Sequence, residues 1–71
     1  MSKYTVFIEP TETGFSAYVP DLPGCIAAAA TLSETRQLIK EAMEFHIEGM
    51  RINGEAVPEP TRLVEQVEVS A

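Results

Sequence analysis

Apolar and polar side chains alternate from Tyr4 to Glu9, with Tyr4, Val6 and Ile8 on one side and Thr5, Phe7 and Glu9 on the other. Period-two alternation predicts a β-strand, and Phe7 makes its second side part apolar as well. Pro10-Thr11-Glu12-Thr13-Gly14 is dense in turn formers, after which Phe15, Ala17 and Val19 alternate against Ser16 and Tyr18. The two runs therefore form a hairpin closed by a multi-residue loop. In Pro20-Asp21-Leu22-Pro23-Gly24 two prolines fix φ and remove donors, so the second strand ends in a rigid loop.

The next run, Cys25-Ile26-Ala27-Ala28-Ala29-Ala30, has an intrinsic preference for helix. It is read as a third strand because the helix start lies after it. Thr31-Leu32-Ser33-Glu34 has capping-box spacing, in which the threonine oxygen accepts from the backbone at Glu34 and the glutamate reaches back. From Leu32 to Arg51 the apolar residues fall mainly at three- and four-residue steps, which assigns Leu32, Leu38, Ile39, Ala42, Met43, Phe45, His46 and Met50 to the packed face. Ile47 departs from the pattern. Gln37 with Glu41, and Lys40 with Glu44, are i,i+4 pairs on the wet face. Asn53-Gly54 ends the helix, and the prolines of Ala56-Val57-Pro58-Glu59-Pro60 hold the chain extended. Leu63, Glu65, Val67 and Val69 then alternate against Val64, Gln66 and Glu68, a pattern that predicts a last, returning strand from Leu63 to Val69 beside the first.

The expected fold class is α+β with order β-β-β-α-β: an antiparallel three-stranded sheet, one long helix on one face, and the returning strand. All 71 residues belong to one domain. One helix covers only one face of the sheet, leaving Phe7 and Tyr18 on the open face as the expected contacts of a homodimer or higher homo-oligomer.

Composition narrows the function. Eleven acidic side chains against five basic ones give a net charge of -6, a field that repels phosphate and attracts basic surfaces, so direct nucleic-acid binding is not expected. With 45% hydrophobic residues the chain is globular in composition. It has no segment of membrane-spanning length and no apolar leader, and it is read as cytoplasmic.

The chemistry-bearing residues point away from catalysis. His46 is the sole histidine and sits on the packing stripe, and Cys25 is the sole cysteine in an apolar strand with no cation beside it. One cysteine and one histidine make no zinc set, and the carboxylates are spread along the helix and loops, where solvation accounts for them. The four glycines form no nucleotide-binding pattern. No cofactor, metal or catalytic residue is expected, and an enzyme reading would need clustered acids.

Tyr18-Val19-Pro20-Asp21-Leu22-Pro23-Gly24-Cys25, preceded by the Tyr4 to Glu9 strand and a short hairpin, resembles the N-terminal signature of the HicB family of antitoxins. Glu41 to Met50 resembles that family's helix end, and Gly54-Glu55 with Pro58-Glu59-Pro60 resembles its tail, so the likeness covers residues 3 to 60. The resemblance implies a partial RNase H-like fold without the catalytic acids. It also implies a function: neutralising HicA, a small basic toxin with a double-stranded-RNA-binding fold that cleaves mRNA.

Two positions depart from the family. Ile26 to Ala30 replaces a more polar run, and the chain ends at Ala71 with no room for the C-terminal DNA-binding domain that many HicB proteins carry. Operator binding is therefore not carried over. The expected partner is a basic HicA-like toxin whose RNA-binding surface is covered, with Asp21, Leu22, Pro23, Gly24, Glu12 and Glu59 as contacts. A preformed proline-glycine loop loses little entropy on binding, and carboxylates can meet the cations that otherwise hold phosphate. The alternative is a solitary HicB-like oligomeric module with no toxin.

Overall fold

The sheet is built in chain order, β1 (Phe7–Pro10), β2 (Phe15–Tyr18) and β3 (Ile26–Ala29), with β2 antiparallel to both neighbours, and is followed by α1 (Leu32–Ile52). The computed structural model describes residues 3–61 and 63–70; Met1, Ser2, Arg62 and Ala71 lie outside them. Each strand is shorter than its alternating run because pairing, not pattern, sets its ends. The register aligns Phe7 with Tyr18 and Tyr18 with Ile26 on one face, and Ile8 with Ala17 and Ala17 with Ala27 on the other.

The alanine run is a strand for a packing reason. Helix α1 lies over β2 and β3, while β1 reaches the core through Ile8. Ala17 and Ala27 face it, and side chains this small let the helix come close to the sheet. Ala17, Val19, Leu22, Cys25 and Ile39 form the buried core, with Tyr4, Val6, Ile8, Ala42, Met43 and Ile47 packed around them. The β1–β2 loop approaches the end of β3 so closely that a Cβ on Gly14 would lie 2.1 Å from the Ala29 carbonyl oxygen. Only glycine fits there.

Helix α1 starts and stops where the sequence predicts. Thr31 Oγ1 accepts from the Glu34 backbone N–H at 3.1 Å and donates to Glu34 Oε1 at 2.9 Å, so the box closes through the side chains of both residues. Asn53 caps the other end by donating its N–H to the Gly49 carbonyl at 3.1 Å. The predicted Gln37–Glu41 pair forms, at 2.7 Å.

The buried face of the helix is rotated from the predicted one. Phe45 and Leu38 point outward, at 83% and 43% exposure, while Ile47 packs on the core. At 3.6 residues per turn Ile47 lies about 80° around the helix from buried Ile39, whereas Phe45 lies about 120° away on the other side. Thr35, which the pattern passes over, is fully buried, and its hydroxyl donates to the Thr31 carbonyl at 2.9 Å. That bond removes the cost of burying it.

The returning strand is the main correction. Residues 63–70 have no regular secondary structure and pair with none of β1, β2 or β3. Leu63, Val64, Val67 and Val69 are 64–91% exposed. Alternation is a local property, whereas a strand also needs a neighbouring backbone to bond and a surface on which to bury one face. In this chain the run finds neither.

Candidate functional site

The loop between β2 and β3 is fixed before any partner arrives. Leu22 N–H donates to the Val19 carbonyl at 3.1 Å, Cys25 N–H to the Leu22 carbonyl at 3.0 Å, and Val19 N–H to the Cys25 carbonyl at 3.2 Å. Leu22 is 0% exposed and plugs the core from the loop. Its side chain cannot touch a partner, so its part is to hold the neighbours in place. Gly24 takes φ +85, and it and Pro23 are exposed.

Asp21 is half-buried and already engaged. Its carboxylate accepts from the Thr61 N–H at 3.2 Å and from the Thr61 hydroxyl at 3.1 Å, while the Tyr4 hydroxyl donates to the Pro58 carbonyl. These contacts lay the run from Val57 to Thr61 against the start of the sheet and bring exposed Glu59 to the Asp21 end of the molecule. Asp21, Pro23, Gly24 and Glu59 thus share one end. Glu12 is exposed in the hairpin loop at the opposite end of β2. Thr61 was not legible as a site residue, because its partner lies forty positions away.

On the face of the sheet away from the helix, Phe7 and Tyr18 meet with ring centroids 5.4 Å apart and planes tilted by 31°. Ile26 continues the row at 71% exposure, giving an apolar stripe across all three strands. A second ridge runs along the helix, where Leu38, Phe45 and Ile52 recur every seven residues, all exposed. Glu34, Glu41 and Glu48 recur at the same interval beside it and are also exposed. The seven-residue spacing is readable in the sequence; that this face points outward is not.

The chemistry-bearing side chains lie apart: Cys25 is in the core and His46 on the helix. Burial raises the Cys25 thiol above its ordinary pKa, because the thiolate would lose its hydration. His46 is half-buried at the edge of the packed face. Among the described residues no three His, Cys, Asp or Glu side chains gather to hold a metal ion, and no helix is long and apolar enough to cross a membrane.

Comparison with known proteins assigns this arrangement to a class. The model of the HicB-like antitoxins of bacterial toxin–antitoxin systems matches residues 4–70, and the chain belongs to that family. A chain of the solved HicA3 and HicB3 toxin–antitoxin complex superposes with a TM-score of 0.71 at 36% identity, covering 83% of this chain and 69% of that one. The sequence is 47% identical over 55 residues to a 14.9 kDa protein from the rep-hol intergenic region of Haemophilus phage HP1, and 78% of it aligns. It spans only 41% of that phage protein's length. A UPF0150 protein of Thermoplasma acidophilum is 40% identical over 57 residues, covering 79% of this chain and 83% of the relative.

Proposed function

We propose that this chain is an antitoxin that binds a basic HicA-like toxin in the cytoplasm and neutralises it by covering its RNA-binding surface. The observation that carries the reading is the shared fold with a chain of the HicA3 and HicB3 complex over 83% of the present sequence. Physical chemistry supports it independently: a molecule of net charge -6 is drawn to a cationic surface and competes there with phosphate. Its action is occlusion, which needs no reacting group.

The docking end is the preformed loop, with Asp21, Pro23 and Gly24 at its centre, Glu59 beside them, and Glu12 reached only by a partner that lies along β2. Leu22 positions the loop from beneath. The stripe formed by Phe7, Tyr18 and Ile26 supplies homo-oligomer contacts, since an aromatic pair on an open sheet face is the feature most stabilised by a second apolar surface.

Co-expression with any small basic protein found encoded beside the gene tests the reading. The wild type should restore growth and co-purify with it. A combined Asp21→Asn and Glu59→Lys chain should bind at least about tenfold more weakly, a loss of roughly 1.4 kcal/mol. A neighbour that is not toxic, or that does not bind, removes the antitoxin role. Unchanged affinity in the combined variant, with loss in Phe45→Ser, moves the docking site from the loop to the acidic-rimmed helix ridge.

A further inference from the structure

The two edges of the sheet are guarded differently, and the unguarded one carries a knob and a hollow that fit each other. We propose that β3 pairs antiparallel with β3 of a second copy, about a two-fold axis through Ala27, so that Ile26 of each copy lies over Ala28 of the other. The inference goes beyond toxin binding and does not depend on it.

The edge is open because of how the ladder alternates. Val19 N–H donates to the Cys25 carbonyl at 3.2 Å, so the backbone groups of Cys25 turn toward β2. Successive residues of an antiparallel strand turn alternately inward and outward, which directs the N–H and C=O of Ile26 and Ala28 away from β2. Among the described residues no strand lies on that side. The opposite edge is defended: β1 carries Glu9 and ends in Pro10, and the run after the helix is held at Tyr4, just before it, through the Pro58 carbonyl. By contrast β3 has neither charge nor proline, and no charged side chain occurs from Leu22 to Ser33. An edge of this kind is a template for another extended backbone.

Shape selects a second copy as that backbone. Ile26 stands out from the open face at 71% exposure. Two residues along β3 the face drops into a hollow of about 420 Å³, floored by Ala28 and its cross-strand partner Ser16, with Tyr18 and Ile26 at the rim. Knob and hollow are neighbours on one strand. A two-fold axis through Ala27 sets Ile26 opposite Ala28 in both directions, so each pair exchanges backbone hydrogen bonds while each isoleucine enters the other copy's hollow.

Charge and the helix favour the same occupant. Molecules of net charge -6 approach each other best where neither presents a charge, whereas a cationic partner gains nothing from an alanine edge. Leu38 and Ile47 lie about 180° apart around α1. Ile47 walls the groove beside Tyr4, on the β1 side, so Leu38, at 43% exposure, is turned to the free side of β3. The same axis lays the two helices side by side and brings their leucines toward each other. Phe7, two strands away, stays outside this contact and is left for contacts between dimers.

Light scattering on the full chain at micromolar concentration should give the mass of two chains. Ala28→Pro removes an outward N–H that no bond to β2 uses, and Ile26→Lys places a charge on the knob. Each should raise the dimer dissociation constant by at least about tenfold while leaving the helical circular dichroism unchanged. For the register, Ile26→Cys and Ala28→Cys are placed on different copies, both in a Cys25→Ala background, mixed and oxidised with copper phenanthroline. Cα atoms of a hydrogen-bonded pair stand about 5.5 Å apart, within disulfide reach, so the two different chains should link faster than either like pair. A wild type of single-chain mass overturns the proposal. So does a dimer that survives Ala28→Pro; if Ile26→Lys alone dissociates it, the contact lies on the open face and not at the edge. Like pairs that link as fast as the unlike pair also overturn it.

Discussion

The Asp21 carboxylate accepts both the backbone N–H and the hydroxyl of Thr61, at 3.2 and 3.1 Å, joining the loop before β3 to a segment forty residues further on. A residue that sequence reading marks for a partner is thus also the residue that fixes where the tail leaves the body. Asp21→Ala should lower stability by about 1 kcal/mol, the usual net worth of such bonds near the surface. Asp21→Asn, which can accept from the N–H and donate to the hydroxyl, should cost less. The two midpoints in urea check this, and equal losses for both variants would show that charge, not bonding, holds the segment.

The orientation of the helix sets a contrast between two large apolar residues. Ile39, 3% exposed in the core, should cost about 2 to 5 kcal/mol on truncation to alanine. Phe45, 83% exposed, should change stability by no more than about 0.5 kcal/mol when replaced by serine. Thermal denaturation of both variants decides it, and a large loss for Phe45→Ser would restore the packed face predicted from periodicity.

Gly14 faces backbone, which cannot swing aside as a side chain can: an added Cβ meets the Ala29 oxygen at 2.1 Å and the Ala30 Cα at 2.7 Å. Gly14→Ala should therefore destabilise by about 1 to 3 kcal/mol, the range for forced overpacking. The loss should appear as a lower unfolding midpoint with the helix signal retained below it.

Cys25 is 4% exposed and its pKa is raised by burial. At pH 8 a thiol reagent should modify the folded chain at least about tenfold more slowly than the chain in denaturant. The sign of the pH effect follows from linkage. A raised folded pKa favours the protonated thiol in the folded state, so its contribution is complete below the unfolded value and is lost as pH rises through the folded one. Stability should fall on the alkaline side of about pH 8.5, and Cys25→Ala should remove that part of the decline.

What the sequence determined by itself is the set of features that depend on neighbours along the chain. Thr31 with Glu34 marked the helix start and Asn53 its end, the prolines and Gly24 marked the loop, alternation marked the first two strands, and the helix start left the alanine run as the third, because capping, turn geometry and strand period act within a few residues. The net charge of -6 and the solitary His46 and Cys25 were equally plain. The tertiary structure decided what depends on contact between distant parts. Phe45 and Ile47 are both apolar and only two positions apart, so which of them enters the core depends on how the helix rolls onto Ala17 and Ala27. Leu22 and Asp21 stand side by side in one motif, yet one plugs the core and the other binds Thr61. The run from Leu63 to Val69 shows the limit of local pattern: it fixes which side chains share a face, and only a neighbouring strand can turn that face into structure.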